Sequence, residues 1–267
     1  MKSKCGFIRG VWGVYNVPNN KLYARKTKVD NDIQFSLLNP YEPKWKIYAF
    51  GEDNHKKMVD LGYDSVLIDK RPFVWDMEKE QYRHKLEFWR CGLQDFEEVV
   101  FCDFDCIPLK QLPIDFWQVL GEGEKIQASL FQYTKKRCFW RVGDSRKVSA
   151  ATFVYLRGKE IADGIIKTWE GMGRPLKEEL ALSKYIDDLD GGWQGKEHYK
   201  KYEPRYHNTF WYWDKEYFIN HKDPIFCHFN THRISYFMGD KNVGGIRLRL
   251  AAEYKAELER QSKGYKN

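Results

Sequence analysis

The chain reads as an α/β protein with a mostly parallel central sheet, and three observations predict it. Short apolar runs alternate along the chain with segments of helical periodicity. Polar and glycine-bearing segments follow those runs, where ligands bind in sheets of this kind. The composition is that of a protein with a packed core: of 267 residues, 42% are hydrophobic and 31% charged, which excludes a disordered or collagen-like chain.

The elements follow in order. Residues 5–15 form a first strand that runs into a loop bearing Gly10 and Gly13. Residues 46–50, KIYAF, form a short apolar strand. Asn54 is placed to cap a helix that runs to Leu61 and stops at Gly62. Residues 65–68 are the next strand. Residues 78–93 have helical spacing, with Tyr82, Leu86, Trp89 and Leu93 on one face. Residues 99–102 form a buried strand, and 126–131 and 151–156 two more. Residues 158–169 and 178–186 are helices. A polar helical tail spans 248–267, after a main domain over 1–247, with Lys255/Glu259 and Glu259/Lys263 at i,i+4 spacing.

No apolar run approaches the roughly 20 residues that span a bilayer, and Arg9 and Pro18 interrupt the N-terminal stretch. A cytoplasmic protein is therefore expected, with its six cysteines reduced. Cys102 and Cys106 have no second Cys/His pair at zinc-site spacing. The net charge of +7 is uneven. Residues 21–28 hold four basic side chains and no acidic one, and 135–147 hold six against Asp144. Such patches suit an anionic partner or a solvated surface.

The sharpest signal is EEVVFCDFDCIPLKQLP at 97–113. An apolar strand runs into Asp103-Phe104-Asp105, followed by an Ile-Pro-Leu turn. Carboxylates at i and i+2 of an extended segment point the same way and can share a divalent cation. Oxygen ligands suit Mg²⁺ or Mn²⁺, which can neutralise a departing diphosphate. Here the chain resembles the GT-A glycosyltransferases, in particular the family-8-type, glycogenin-like and bacterial galactosyltransferase-like branch. The resemblance covers roughly residues 5–235 in the same order.

The resemblance implies a GT-A, Rossmann-like single domain and sugar transfer from a nucleotide-diphosphate sugar (a UDP-sugar), with retention. It implies His228, in DPIFCHFN after an apolar strand, as a third metal ligand beside Asp103 and Asp105. Arg233 or His232 would meet the departing diphosphate, and Lys85, in the helix before Asp103, the donor sugar or diphosphate. Arg9, Gly10 and Trp12 (or Tyr15) match the place that holds the base and ribose. Residues 148–156 look like the strand beside the donor sugar. Residues 177–182 resemble the helix start whose acid lies near the anomeric carbon, with Glu179 first and Glu178 second. The aromatic cluster at 207–218 is read mainly as core, and the loop at 239–245 as a nucleotide cover or a plain turn.

The acceptor expected is a glycan or another hydroxyl compound. The basic patches keep a phage-type DNA glycosyltransferase acting on hydroxylated bases as an alternative. A nucleotidyltransferase would also use strand-end aspartates, though Gly-Val-Trp-Gly makes a poor phosphate loop. A non-catalytic basic nucleic-acid-binding module is the third reading, and no helix-turn-helix, zinc-finger or RNA-recognition signature supports it.

Overall fold

The computed structural model describes residues 3–12, 33, 36–37, 39–68, 83–108, 110–122, 125–132, 147–174, 178–189, 207–210 and 225–229. The expected tail, the basic stretches at 21–28 and 135–146, Gly13, Tyr15, Lys177, His232, Arg233, residues 211–218 and the loop at 239–245 lie outside them.

In chain order the elements are β1 (Ser3–Val11), β2 (Trp45–Ala49), α1 (Glu52–Asp60), β3 (Asp64–Leu67), α2 (Arg83–Asp95), β4 (Phe96–Cys102), β5 (Cys106–Pro108), α3 (Phe116–Gly121), β6 (Ile126–Gln132), β7 (Lys147–Arg157), α4 (Lys159–Gly171), α5 (Glu178–Leu189), β8 (His207–Phe210) and β9 (Phe226–Phe229). They fall in two compact units. One comprises residues 1–15, 44–103 and 115–204, the other 16–43, 104–114 and 205–267.

The first unit holds a six-stranded sheet in the order β3-β2-β1-β4-β7-β6. The pairs β2–β3, β1–β2 and β1–β4 are parallel. The pairs β4–β7 and β6–β7 are antiparallel. The apolar runs read from the sequence are the inner strands, since a strand covered on both faces needs no polar alternation. In β4, Val99, Val100, Phe101 and Cys102 are all buried. One face of the sheet carries α2, α4 and α5, whose Leu86, Trp89, Ile165, Trp169, Leu182 and Ile186 join Ile8, Val99, Phe101 and Val154 in the main core. On the other face Phe7 meets Trp45, Phe116 and Trp117 at ring-centre distances of 5.5, 5.7 and 4.8 Å.

Two expectations shift. Helix α1 begins at Glu52, so Asn54 is not its cap. Instead the Asn54 side-chain amide donates to the Phe50 carbonyl at 2.6 Å. The stop at Gly62 is as expected, with φ of +85°, a conformation open to glycine. Ile107 and Pro108 of the expected Ile-Pro-Leu turn belong to a strand instead, since Cys106–Pro108 form β5. In the second unit β5 pairs antiparallel with β9, and β9 parallel with β8, in the order β5-β9-β8.

Helix α2 lies close on β1 because two glycines leave room. A Cβ at Gly10 would stand 1.9 Å from the Phe88 ring, and one at Gly92 2.5 Å from Ile8 Cδ1. Gly10→Ala should therefore lower the unfolding free energy by about 2–3 kcal/mol, the usual scale of overpacking. Gly10→Ala with Phe88→Leu should recover part of it, as read by urea denaturation. Equal losses in the single and double variants would show that Phe88 is not the obstacle.

Candidate functional site

Three charged side chains from three elements converge at the carboxyl edge of the parallel strands. Helix α2 runs from that edge back to Asp95, and β4 returns to it immediately. This places Lys85, in the first turn of α2, beside Asp103, the residue after β4. Lys85 Nζ donates to Asp103 Oδ2 at 2.9 Å and lies 2.9 Å from Oδ1. Helix α5 starts at Glu178, whose Oε1 is 2.9 Å from the same ammonium. The Asp103 backbone N–H donates to the Thr152 carbonyl at 3.0 Å, which ties the carboxylate to β7.

The cluster is dry at two of its three corners. The Lys85 side chain is 5% exposed and that of Glu178 3%, against 25% for Asp103. Burial disfavours the ammonium, but Asp103 and Glu178 more than offset this, so the Lys85 pKa lies above the ordinary lysine value. The amine stays charged across the physiological range. Lys85 is thus a buried cation held by two carboxylates, not a solvated helix residue. Glu178 Oε2 is buried and has no hydrogen-bond partner among the described residues.

An aromatic group adjoins the cluster. His84, next to Lys85, stacks on Trp12 with ring centres 6.4 Å apart and meets Phe50 edge-on at 4.2 Å. Trp12 follows β1 and is only partly buried. Arg83 does not face this edge's chemistry. Its Nε donates to Glu87 Oε1 at 2.7 Å and its Nη1 to Glu170 Oε1 at 3.2 Å, joining α2 to α4.

The structure sorts the other residues singled out by sequence. Glu178, not Glu179, joins Lys85 and Asp103. Glu179 is half-buried beside it, and its carbonyl accepts from Ser183 Oγ at 2.7 Å. Arg9 is fully buried on the opposite face of β1 from α2, with its guanidinium carbon 3.8 Å from the Trp45 ring centre. Gly10 gives its space to Phe88. The Asp-Phe-Asp segment is not extended, since Phe104 and Asp105 form a turn. The two carboxylates thus do not share one side of a strand. Asp105 is 6% exposed. In the second unit, Asp105 precedes Cys106, whose register partner is His228. His228 therefore lies within β9 rather than after a strand. Asn39 Nδ2 donates to the Pro108 carbonyl at 2.8 Å and steadies β5. Among the described residues no three His, Cys, Asp or Glu side chains form a metal-binding group, and the His228 side chain is not among those described.

Sequence reasoning chose Lys85 as the basic residue at the donor and ranked Glu178 behind Glu179, and neither carries a local mark of burial. The available signal was chain order: a lysine at a helix start whose helix feeds directly into the strand that ends at Asp103.

No protein-family model matches the chain, and no curated protein matches it. Solved structures do. Mouse xyloside xylosyltransferase 1 in its apo form is similar at a TM-score of 0.51 and 8% identity, over 85% of this chain and 98% of that one. A glycosyltransferase involved in glycosylation of the major capsid of PBCV-1 is similar at 0.41 and 13%, over 96% and 99%. The glycosyltransferase GlyE of Streptococcus pneumoniae TIGR4 is similar at 0.47 and 12%, over 97% of this chain and 64% of that one. At these identities the likeness concerns the fold. The xylosyltransferase match agrees with the Rossmann-like α/β arrangement expected from the sequence.

The burial of Lys85 has a measurable consequence. Lys85→Met should lower the unfolding free energy by about 3–5 kcal/mol, because it strands buried carboxylates. The exposed pair Lys125–Glu160, at 2.8 Å, is the control. Lys125→Met should cost less than about 1 kcal/mol. Urea titration of both variants reads the difference, and equal losses would mean that the Lys85 cluster is hydrated in solution.

Proposed function

We propose that the protein is a glycosyltransferase that takes a sugar from a nucleotide-diphosphate donor, with UDP as the carrier. The observation that carries this is the buried Lys85–Asp103–Glu178 cluster at the carboxyl edge of the parallel strands, where α/β sheets bind ligands. The glycosyltransferase-like fold and the partly open Trp12–His84–Phe50 group beside it support the same reading, since aromatic faces suit a base or a sugar.

In this proposal Asp103, Asp105 and His228 hold Mn²⁺ or Mg²⁺. Carboxylate oxygens and an imidazole suit these ions, and the ammonium already seated on Asp103 marks that carboxylate as a cation seat. When bound, the ion would neutralise the charge that develops on the leaving diphosphate. Lys85 supplies a second positive charge at the same place. Glu178 keeps that lysine oriented and charged, and Glu179 is the neighbouring acid nearest to it in the chain. Arg233, by the family resemblance, would add a further positive charge for the diphosphate. The acceptor is a glycan or another hydroxyl compound, and the resemblance to the family-8 branch supports retention at the anomeric carbon.

Thermal shift with nucleoside diphosphates and nucleotide-sugars tests the donor site. A ligand at 100 times its Kd adds about 2.7 kcal/mol of stability, so UDP should raise the Tm, and only when Mn²⁺ is present. Asp105→Ala should lose that shift and release UDP from UDP-sugars at least about 100-fold more slowly, the upper end of what disturbing even an outer-shell metal partner costs. No shift with any nucleotide in the presence of Mn²⁺ would overturn the proposal.

A further inference from the structure

We infer that the protein carries a sugar-binding site apart from the donor site, in a cavity at the amino edge of the parallel strands where Glu98, Arg157 and Trp117 meet. Its ligand is an uncharged sugar residue. The inference stands independently of the donor reading.

The sheet register builds the site. Cys5 of β1 is the register partner of Glu98 of β4, and Glu98 that of Arg157 of β7. Register partners project to the same side of a sheet, so the three form a row across adjacent strands. Cys5 shares its side with Phe7, whose ring meets Phe116 and Trp117 of α3. The row and α3 line a cavity of about 470 Å³, within the usual range of small-molecule sites, about 300–1,000 Å³. Gly121, the last residue of α3, lets the helix end come this close. A Cβ there would stand 2.8 Å from Tyr155 Oη and 3.5 Å from Glu98 Oε2. Glu98 lies four positions before Cys102 in β4, about 13 Å at the rise of a strand. A sugar in the cavity is therefore clear of the Asp103 edge.

The lining fits a sugar better than an ion. Lys4 and Arg157 are balanced by Glu98 and Glu122, so the cavity has no formal net charge. Glu98 is 8% exposed. An anion would have to lie against this carboxylate, and a cation against the guanidinium. A sugar hydroxyl uses both, since it donates to a carboxylate and accepts from a guanidinium. The Tyr155 hydroxyl donates to Glu98 Oε2 at 2.8 Å, which fixes the carboxylate and leaves Oε1 for a ligand hydroxyl. Arg157 is half-buried, and its backbone N–H donates to the Lys125 carbonyl at 2.8 Å. Trp117 is half-buried too, set against Phe7 at 4.8 Å and Phe116 at 5.6 Å between ring centres. It gives the C–H face of a sugar ring a rigid apolar surface.

Saturation-transfer NMR on the full chain tests this, with glucose, galactose and xylose as probes and neither nucleotide nor metal present. At least one of the three sugars should bind, and inorganic phosphate should not displace it. Arg157→Gln removes a charged donor and should weaken that sugar roughly tenfold or more, as loss of a hydrogen bond to a charged group does. Trp117→Leu keeps an apolar contact for Phe7 but removes the flat surface. It should weaken the sugar about three- to tenfold, and it serves if Arg157→Gln does not fold. Addition of UDP with Mn²⁺ should leave the wild-type signal unchanged. Failure of all three sugars to bind would overturn the inference. So would binding that the variants leave intact, or that phosphate or UDP displaces. The donor site has its own test and stands or falls apart from these outcomes.

Discussion

The ammonium of Lys85 is the constraint on which the candidate site depends. It joins the first turn of α2, the end of β4 and the first residue of α5 through contacts of 2.9 Å. Each of those positions is an element terminus, where a small change of angle would separate the charges. Packing removes that freedom. Gly10 and Gly92 let α2 approach β1, and the Arg83–Glu170 contact at 3.2 Å holds α2 against α4. The apolar core therefore sets where a charge pair forms, and the charge pair in turn penalises any register of α2 that would strand it.

A buried ion pair is weak evidence of stabilisation, since well-packed apolar residues of similar size often serve stability as well or better. The fold has ample apolar material, and it still places a lysine and a glutamate where both are nearly inaccessible. Buried charge clusters of this kind gather at functional sites, where a charge is needed whatever it costs in stability.

The sheet was legible in the sequence because its strands are covered on both faces. Runs such as Val99–Cys102 then lack polar alternation and stand out against charged surroundings. Strand ends were less legible: β7 runs from Lys147 rather than 151, and β4 from Phe96 rather than 99. Polar residues at strand ends carry ladder hydrogen bonds without being buried, so hydropathy does not register them. β5 was missed for a different reason. Three residues containing a proline read as a turn, and only the ladder to β9, more than a hundred residues later, makes them a strand. Nothing local in Cys106–Pro108 carries that information.

The members of the charged cluster were legible by position, and their burial was not. Asp103 and Lys85 were found through the strand-end motif and the chain order around it, but burial of the lysine is decided by what α5 packs beside it. The same gap explains Glu178 and Glu179. Adjacent acids at a helix start are equivalent in sequence, and a rotation of about 100° per residue separates them in space. Only one can face the sheet. Arg9 and Gly10 show the converse. Both sit where a nucleotide-binding loop would place an arginine and a glycine, yet one covers Trp45 and the other admits Phe88. A cation near the end of a central strand thus has two outcomes, set by strand parity. On the face that carries α2, a charge must find a partner such as Asp103. On the other face it finds an indole. Parity is readable from the sequence, and misplacing the start of β1 by two residues leaves it unchanged, since side chains alternate with a period of two. The alternation itself still divides Arg9 from its neighbours Ile8 and Gly10, so the arginine could have been assigned to the far face from the moment Gly10 was placed against a helix.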